Sequence, residues 1–236
     1  MSWIIYPNFF LVIATEICTL SDSDNFMGRK PTSGPIRDKD RTKTRLLQSV
    51  GSILEKDGFT GLSITNVAKI AAVDRKLIYE YYGTLDNLVK AYLNERDYWR
   101  INLAQVDQIV AMSKTDYGKQ VAYELLENQF NSLLTNAEMR KIISWGLSED
   151  VPALIALNKE REALAERLFT KLIDPYFIGK DKNIRAIHAI LVSSIYYLTL
   201  SAKKKDSSMC GIDINQREGE LEIKRTMKQI IDWAYS

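Results

Sequence analysis

Apolar residues return every three to four positions through most of this chain, the period of a helix with one buried face, and no stretch sustains an alternation of period two. Leu46, Leu47, Val50, Ile53 and Leu54 form one such stripe, which predicts a helix from Thr42. Gly58 is placed to end that helix in a left-handed conformation, with Phe59 folding back on its apolar face. Ser63 then reads as the N-cap of a short helix running to about Ala71, with Val67, Ala68 and Ala71 inward. Asn66 stands where a full capping box has Glu or Gln, so that cap is partial. Asp74 caps a second short helix, 75–82. Gly83 and Thr84 close it and open a long helix carrying Leu85, Leu88, Tyr92 and Leu93 and, further on, Val106, Ile109 and Val110. Further helices are predicted at 117–134, 136–145, 152–173 (Pro152 in its first turn), 182–203 and 217–234. The expected fold class is all-α, about nine helices in total, with no internal repeat.

Two short helices around a tight turn, followed by about 150 residues of amphipathic helix, make a helix-turn-helix head on a larger helical body. In such a unit the first short helix braces the second, whose N-terminal half enters the major groove of DNA. Arg75 and Lys76, just after the Asp74 cap, are long enough to reach a guanine edge or a phosphate. Tyr79 and Tyr81 follow, suited to the sugar-phosphate backbone or a thymine methyl. Ser63 and Thr65 open the bracing helix, where hydroxyls and backbone N–H groups suit a phosphate oxygen. With Arg45 and Leu77 these complete the candidate DNA-binding set, while Ile78 and Tyr82 read as core. The expected organisation is an N-terminal extension and basic arm over 1–38, a three-helix DNA-binding domain over 39–84, and a larger helical body over 85–236.

Charge sharpens the picture. The net charge is only +2, with charged residues at 26%, which is ordinary for a globular protein. Its distribution is uneven. Residues 27–45 carry Arg29, Lys30, Arg37, Lys39, Arg41, Lys43 and Arg45 against Asp38 and Asp40, while 1–26 carry only the acids Glu16, Asp22 and Asp24. Positive charge thus gathers just ahead of the helix-turn-helix, where an arm over 29–39, punctuated by Pro31, Ser33, Gly34 and Pro35, can reach phosphates or a minor groove. The first 26 residues are apolar but interrupted by Pro7, Asn8, Thr15 and Glu16, and lack a basic start, so neither a secretory signal nor a membrane span is read there. Met27 opens a more usual start, which leaves translation of 1–26 open; if translated, they are expected to be poorly ordered or to pack opportunistically. Cys18 and Cys210 form no metal spacing or disulfide framework and fit a reduced cytosolic compartment.

These residues resemble the N-terminal domain of the tetracycline-repressor (TetR/AcrR) family of bacterial transcription regulators. The resemblance is carried by Gly58-Phe59, Ser63, Val67-Ala68, Ala71-Ala72-Val73-Asp74, Ile78-Tyr79-Glu80-Tyr81-Tyr82, and Gly83-Thr84-Leu85-Asp86 with Leu88, ungapped over about 45 residues. Ala72 departs from the usual turn glycine, predicting strain or a different bend. Leu85 replaces a lysine that commonly anchors a phosphate, and Lys76 stands where a small residue or proline is common. The resemblance implies that the body binds an effector and dimerises. The segment 184–200 is too apolar for a one-sided surface helix and, with the final helix, is expected to form a four-helix dimer interface. Ala189, Ser193, Tyr196, Met227 and Ile231 are its candidate residues, and His188 reads as an interface or core histidine. Tyr98, Trp99, Tyr123, Phe130 and Trp145 are candidates for lining an effector pocket.

The expected function is therefore a homodimeric repressor of a palindromic double-stranded DNA operator, released by a small, largely apolar effector, in the bacterial cytoplasm at the nucleoid and with no membrane partner. The alternative is a DNA-binding protein of the same fold with no small-molecule ligand, controlled by a protein partner or acting architecturally. No glycine-rich phosphate loop, metal-ligand cluster or nucleophile with a neighbouring base is found, so no enzyme activity, metal or cofactor is expected.

Overall fold

The computed structural model describes residues 35–96, 103–202 and 208–236. The chain forms two compact units, 1–40 and 41–236, and only the helical stretch 35–40 of the first is described. The expectations placed on 1–34, and on Tyr98 and Trp99, fall outside the described residues.

Among the described residues the protein is all-α, with one isolated antiparallel bridge between Met209 and Ile212. The helices are α1 (Pro35–Asp57), α2 (Ile64–Ala71), α3 (Arg75–Tyr82), α4 (Leu85–Arg96), α5 (Leu103–Met112), α6 (Lys119–Thr135), α7 (Ala137–Ser148), α8 (Pro152–Leu168), the short α9 (Asp174–Phe177), α10 (Ile184–Ser201) and α11 (Arg217–Ala234). The helix expected from residue 85 onward is present as α4 and α5, on either side of 97–102.

Beyond shifts of one to three residues at helix ends, two stretches differ from the sequence pattern, each for a local reason. Residues 35–39, expected to belong to a linker, are helical: Pro35 has the fixed φ that suits a first helical position, and Asp38 sits in the first turn, where a carboxylate complements the helix dipole. After Leu168 the helix does not continue as α but widens into a π turn, Phe169–Ile173. Pro175, one residue beyond Asp174, cannot donate to the carbonyl of Lys171, so the ordinary α register is lost there.

A single buried cluster runs through the head and into the body. Leu46, Val50, Ile53 and Leu54 of α1 meet Val67, Ala68 and Ala71 of α2 and Ile78 of α3. The same cluster takes in Leu88, Val89, Tyr92 and Leu93 of α4, Ile142 of α7, and Ala153, Leu154 and Leu157 of α8. Burying each of these large aliphatic side chains contributes about 1.5–3 kcal/mol. The core therefore does not stop at residue 84. At the other end of the body, Tyr235 donates to the carbonyl of Tyr117 at 3.1 Å and stacks on Tyr176, anchoring the end of α11.

Gly51 lets α1 and α4 come close. A Cβ there would lie 2.9 Å from a ring carbon of Tyr92, which is buried, covered by the Arg96 guanidinium at 4.2 Å from its centroid, and hydrogen-bonded through its hydroxyl to Glu138. The ring has no room to retreat. Gly51→Ala is expected to destabilise the protein by about 1–3 kcal/mol through overpacking, read as a lower urea midpoint with an unchanged slope; an unchanged midpoint would show that α1 and α4 are not in this register.

Candidate nucleic-acid interface and body cavity

The head is built by caps. Gly58 ends α1 with φ 66° and ψ −163°, a region open only to glycine without strain. Ser63 accepts from Asn66 N–H at 3.1 Å and starts α2, while the Asn66 side chain reaches back to the Gly61 carbonyl at 3.0 Å. Asp74 accepts from Lys76 N–H at 2.7 Å and starts α3. Gly83 ends α3 at φ 76°, and Thr84 accepts from Asn87 N–H at 3.1 Å to start α4. Each such cap is worth about 1 kcal/mol, and together they fix where α3 begins and ends.

Arg75, Lys76 and Tyr79 are exposed on α3, with Tyr79 at 54% exposure, the largest apolar-bodied side chain left in solvent on this helix. Ser63 and Thr65 are exposed at the start of α2. Leu77 is half-buried, and Tyr81 is half-buried against the core cluster together with Tyr82, so Tyr81 faces inward more than its neighbour Tyr79. Ile78 is fully buried.

Arg45 does something the sequence pattern did not reveal. Its guanidinium donates to the carbonyls of Ala71 and Ala72, the latter at 2.8 Å, across 27 residues of chain. Ala72 is left-handed, at φ 50° and ψ 52°, a conformation that costs a non-glycine residue about 1–2 kcal/mol. Arg45 therefore holds the strained turn between α2 and α3, and its fork is directed at backbone oxygens rather than outward.

The body contains a cavity of about 500 Å³ between α5, α6, α8, the π turn and α10. Its apolar wall includes Val106, Ile109, Leu126, Leu168, Phe169 and Val192. Tyr123, Phe130 and Trp145 do not line it. Phe130 is completely buried in the core, Trp145 packs edge-on against Phe59 at 5.1 Å in the head cluster, and Tyr123 lies beneath Lys228. These aromatics fill space between helices instead. The polar groups at the cavity are Gln129, Asn158, Tyr196 and His188, with Arg161, Glu162, Glu166 and Arg185 at its charged part. Gln129 donates to the Tyr196 hydroxyl at 3.0 Å. Gln129 was legible as an anomaly: it lies on the buried stripe Ala122, Leu126, Gln129, Leu133, where only apolar residues belong.

Two ion-pair groups brace this region. Arg185 of α10 binds Glu166 of α8 at 2.5 Å and Asp174 at 2.6 Å. Arg167 of α8 binds Asp107 of α5 through two nitrogens, one at 2.8 Å. The hydrogen bonds from Arg185 and then Thr170 hold the Glu166 carboxyl down to about 2, and Arg167 does the same for Asp107.

The residues expected at a dimer interface are divided between the core, the cavity and the surface. Met227 and Ile231 are buried inside the protomer, on the inward face of α11, because their spacing puts them on the same stripe as Ala234. Tyr196 turns to the cavity, which Ala189 also lines. Ser193 remains exposed beside Ala186, Ala189, Ile190, Ser194 and Tyr197, and Ile190 and Tyr197 are 66% and 62% exposed. This is an apolar stripe left uncovered among the described residues. By length and composition α10 is apolar enough to cross a membrane, with a mean hydropathy of 1.3, but its other face packs on α6 and α7. No group of three metal-ligating side chains occurs among the described residues.

No family model and no curated protein matches the chain in sequence. Among solved structures it is similar to a TetR family transcription regulator from Marinobacter aquaeolei VT8, at 17% identity over 84% of this chain and 96% of the other, with a TM-score of 0.48. The fatty acid degradation regulator FadR from Bacillus halodurans gives 13% identity over 87% and 97%, also at 0.48. GusR of Salmonella enterica gives 12% over 86% and 100%, at 0.46. At these scores the likenesses carry no argument about function, which rests on the residues themselves.

Arg45→Ala is expected to lower the melting temperature by a few degrees, about 1–2 kcal/mol. Ala72→Gly in the same chain is expected to restore most of that loss, because glycine needs no clamp to stay left-handed; equal melting of wild type and Arg45→Ala would refute the clamp. The carboxylates give a second test. A folded-state pKa depressed to about 2 means that each pair stabilises fully above the ordinary carboxylate range and loses that contribution as the pH falls toward 2. Carboxyl carbon NMR is expected to place the midpoints of Asp107 and Glu166 at about 2; midpoints near the ordinary range would mean that the pairs do not form in solution.

Proposed function

We propose that this chain is a DNA-binding transcription regulator of the TetR type. The observation that carries the reading is a capped helix-turn-helix whose second helix presents Arg75, Lys76 and Tyr79 to solvent from its first two turns. Long cations at that position suit the guanine edge or flanking phosphates, and a tyrosine one turn on suits the backbone. The exposed hydroxyls of Ser63 and Thr65 add phosphate contacts at the start of the bracing helix. Arg45 contributes by holding the turn.

In this reading the protein is a homodimer that joins through the exposed stripe of α10 around Ile190, Ser193 and Tyr197, with Trp233 of α11 exposed nearby in sequence to Tyr235 at the chain's end. Two heads then read half-sites of a palindrome about 34–36 Å apart, one turn of DNA. The protein acts as a repressor in the cytoplasm, and the body cavity receives a small effector.

Helix α8 supports a route between cavity and head. Its first half supplies Ala153, Leu154 and Leu157 to the core beneath α1 and α4, and its second half supplies Leu164, Ala165 and Leu168 to the cavity. A ligand that prefers one setting of α8 biases the heads by its differential affinity for the two settings, and by no more than that. The cavity favours this reading over a same-fold protein with no small-molecule ligand.

The test is selection of a cognate operator from a random DNA library with the purified protein, followed by Arg75→Ala/Lys76→Ala at matched salt. The double variant is expected to lose at least tenfold in affinity, about 1–3 kcal/mol for each base contact, and to show a shallower salt dependence. Equal affinity of variant and wild type for the selected site would remove α3 from the recognition role.

A further inference from the structure

The chemistry of the cavity narrows what it accepts, and this deepens the effector reading above. Two cations and two carboxylates lie at its charged part, so it has no net charge to offer. Arg185 is already bound to Glu166 and Asp174, and Arg161 donates to Asn158. A carboxylate ligand would have to strip one of these pairs and would also meet Glu162. The apolar wall and the volume of about 500 Å³ fall within the range of sites for small organic molecules.

One group there lacks a partner. His188 is 8% exposed, packs edge-on against Phe169 at 5.1 Å, and lines the cavity. Its Nδ1 lies 3.3 Å from the Ile184 carbonyl, and a carbonyl only accepts, so the proton of that bond sits on Nδ1. Nε2 then keeps a lone pair, and it is buried with no hydrogen-bond partner among the described residues. The Ala122 backbone also acts on the ring as an acceptor, as the Ile184 carbonyl does, and no donor lies within hydrogen-bond distance of Nε2 among the described residues. Burial pushes the imidazole below its ordinary pKa, the two carbonyls opposing, so the ring favours its neutral form. A buried acceptor left unmade is costly, and a donor from a ligand removes the cost.

We propose that the cavity takes an uncharged, mainly apolar small molecule bearing one hydroxyl or N–H group, which donates to Nε2 of His188. Such a ligand fills the wall of Ile109, Leu126, Leu168 and Val192 with its apolar body, and the Gln129–Tyr196 pair lies in the same lining as the acceptor.

The test uses the full chain without DNA and three probes of matched chain length, 1-decanol, 2-decanone and decanoate at neutral pH, by isothermal titration calorimetry. The alcohol is expected to bind roughly three- to tenfold tighter than the ketone, which accepts but does not donate, and tighter still than the anion. His188→Phe, which keeps an aromatic ring and removes the acceptor, is expected to bring alcohol and ketone level. The wild-type ranking stands alone if that variant fails to fold. A ketone or decanoate that binds as tightly as the alcohol, or no binding by any of the three, overturns the assignment. Binding of the alcohol with unchanged operator affinity supports the ligand class while refuting the effector role, so the two failures are separable.

Discussion

The bond from Arg45 to the α2–α3 turn is the constraint on which the head depends. A helix-turn-helix works only if its second helix leaves the first at a fixed angle, and here the turn contains an alanine at φ 50°. Glycine would adopt that conformation freely. Alanine does so at a cost of about 1–2 kcal/mol, which two charge-assisted hydrogen bonds from one guanidinium are sufficient to offset. The arginine comes from α1, so the orientation of α3 is set by a helix 27 residues earlier. The caps at Ser63 and Asp74 then define the helix ends around that point.

A second constraint ties head to body. The hydrophobic cluster of α1, α2 and α3 continues without interruption into α4, α7 and α8, with Gly51 allowing the Tyr92 ring to sit against α1. Helix α8 belongs to two environments along its length, the shared core first and the cavity wall after it. It ends in the π turn before Pro175, which brings Phe169 to the cavity and against His188. One helix thus packs against both the shared core and the cavity wall.

Where the sequence misled, it did so in one direction. Large aromatics drew attention as a pocket lining, yet Phe130 and Trp145 are packing residues, because a bulky ring gains most by being surrounded on all sides. The cavity is instead marked by polar groups on otherwise apolar helix faces, Gln129, which pairs with Tyr196, and His188. Met227 and Ile231 were likewise placed outward by an apolar pattern that could not say which neighbour each stripe faces.

The sequence by itself determined the helical fold, the helix-turn-helix and most of its ends, because these follow from contacts within a few residues: Ser63 to Asn66, Asp74 to Lys76, Gly58 and Gly83 at positive φ. It also determined which α3 residues are long, cationic and set for solvent. Only the tertiary structure decided that Arg45 faces the Ala71–Ala72 turn, that the cavity lies between α5, α6, α8 and α10, and that α10 rather than α11 presents the longer uncovered apolar stripe among the described residues. Each of those depends on pairs of residues far apart in the chain, whose meeting is set by how whole helices pack and not by the pattern within any one of them.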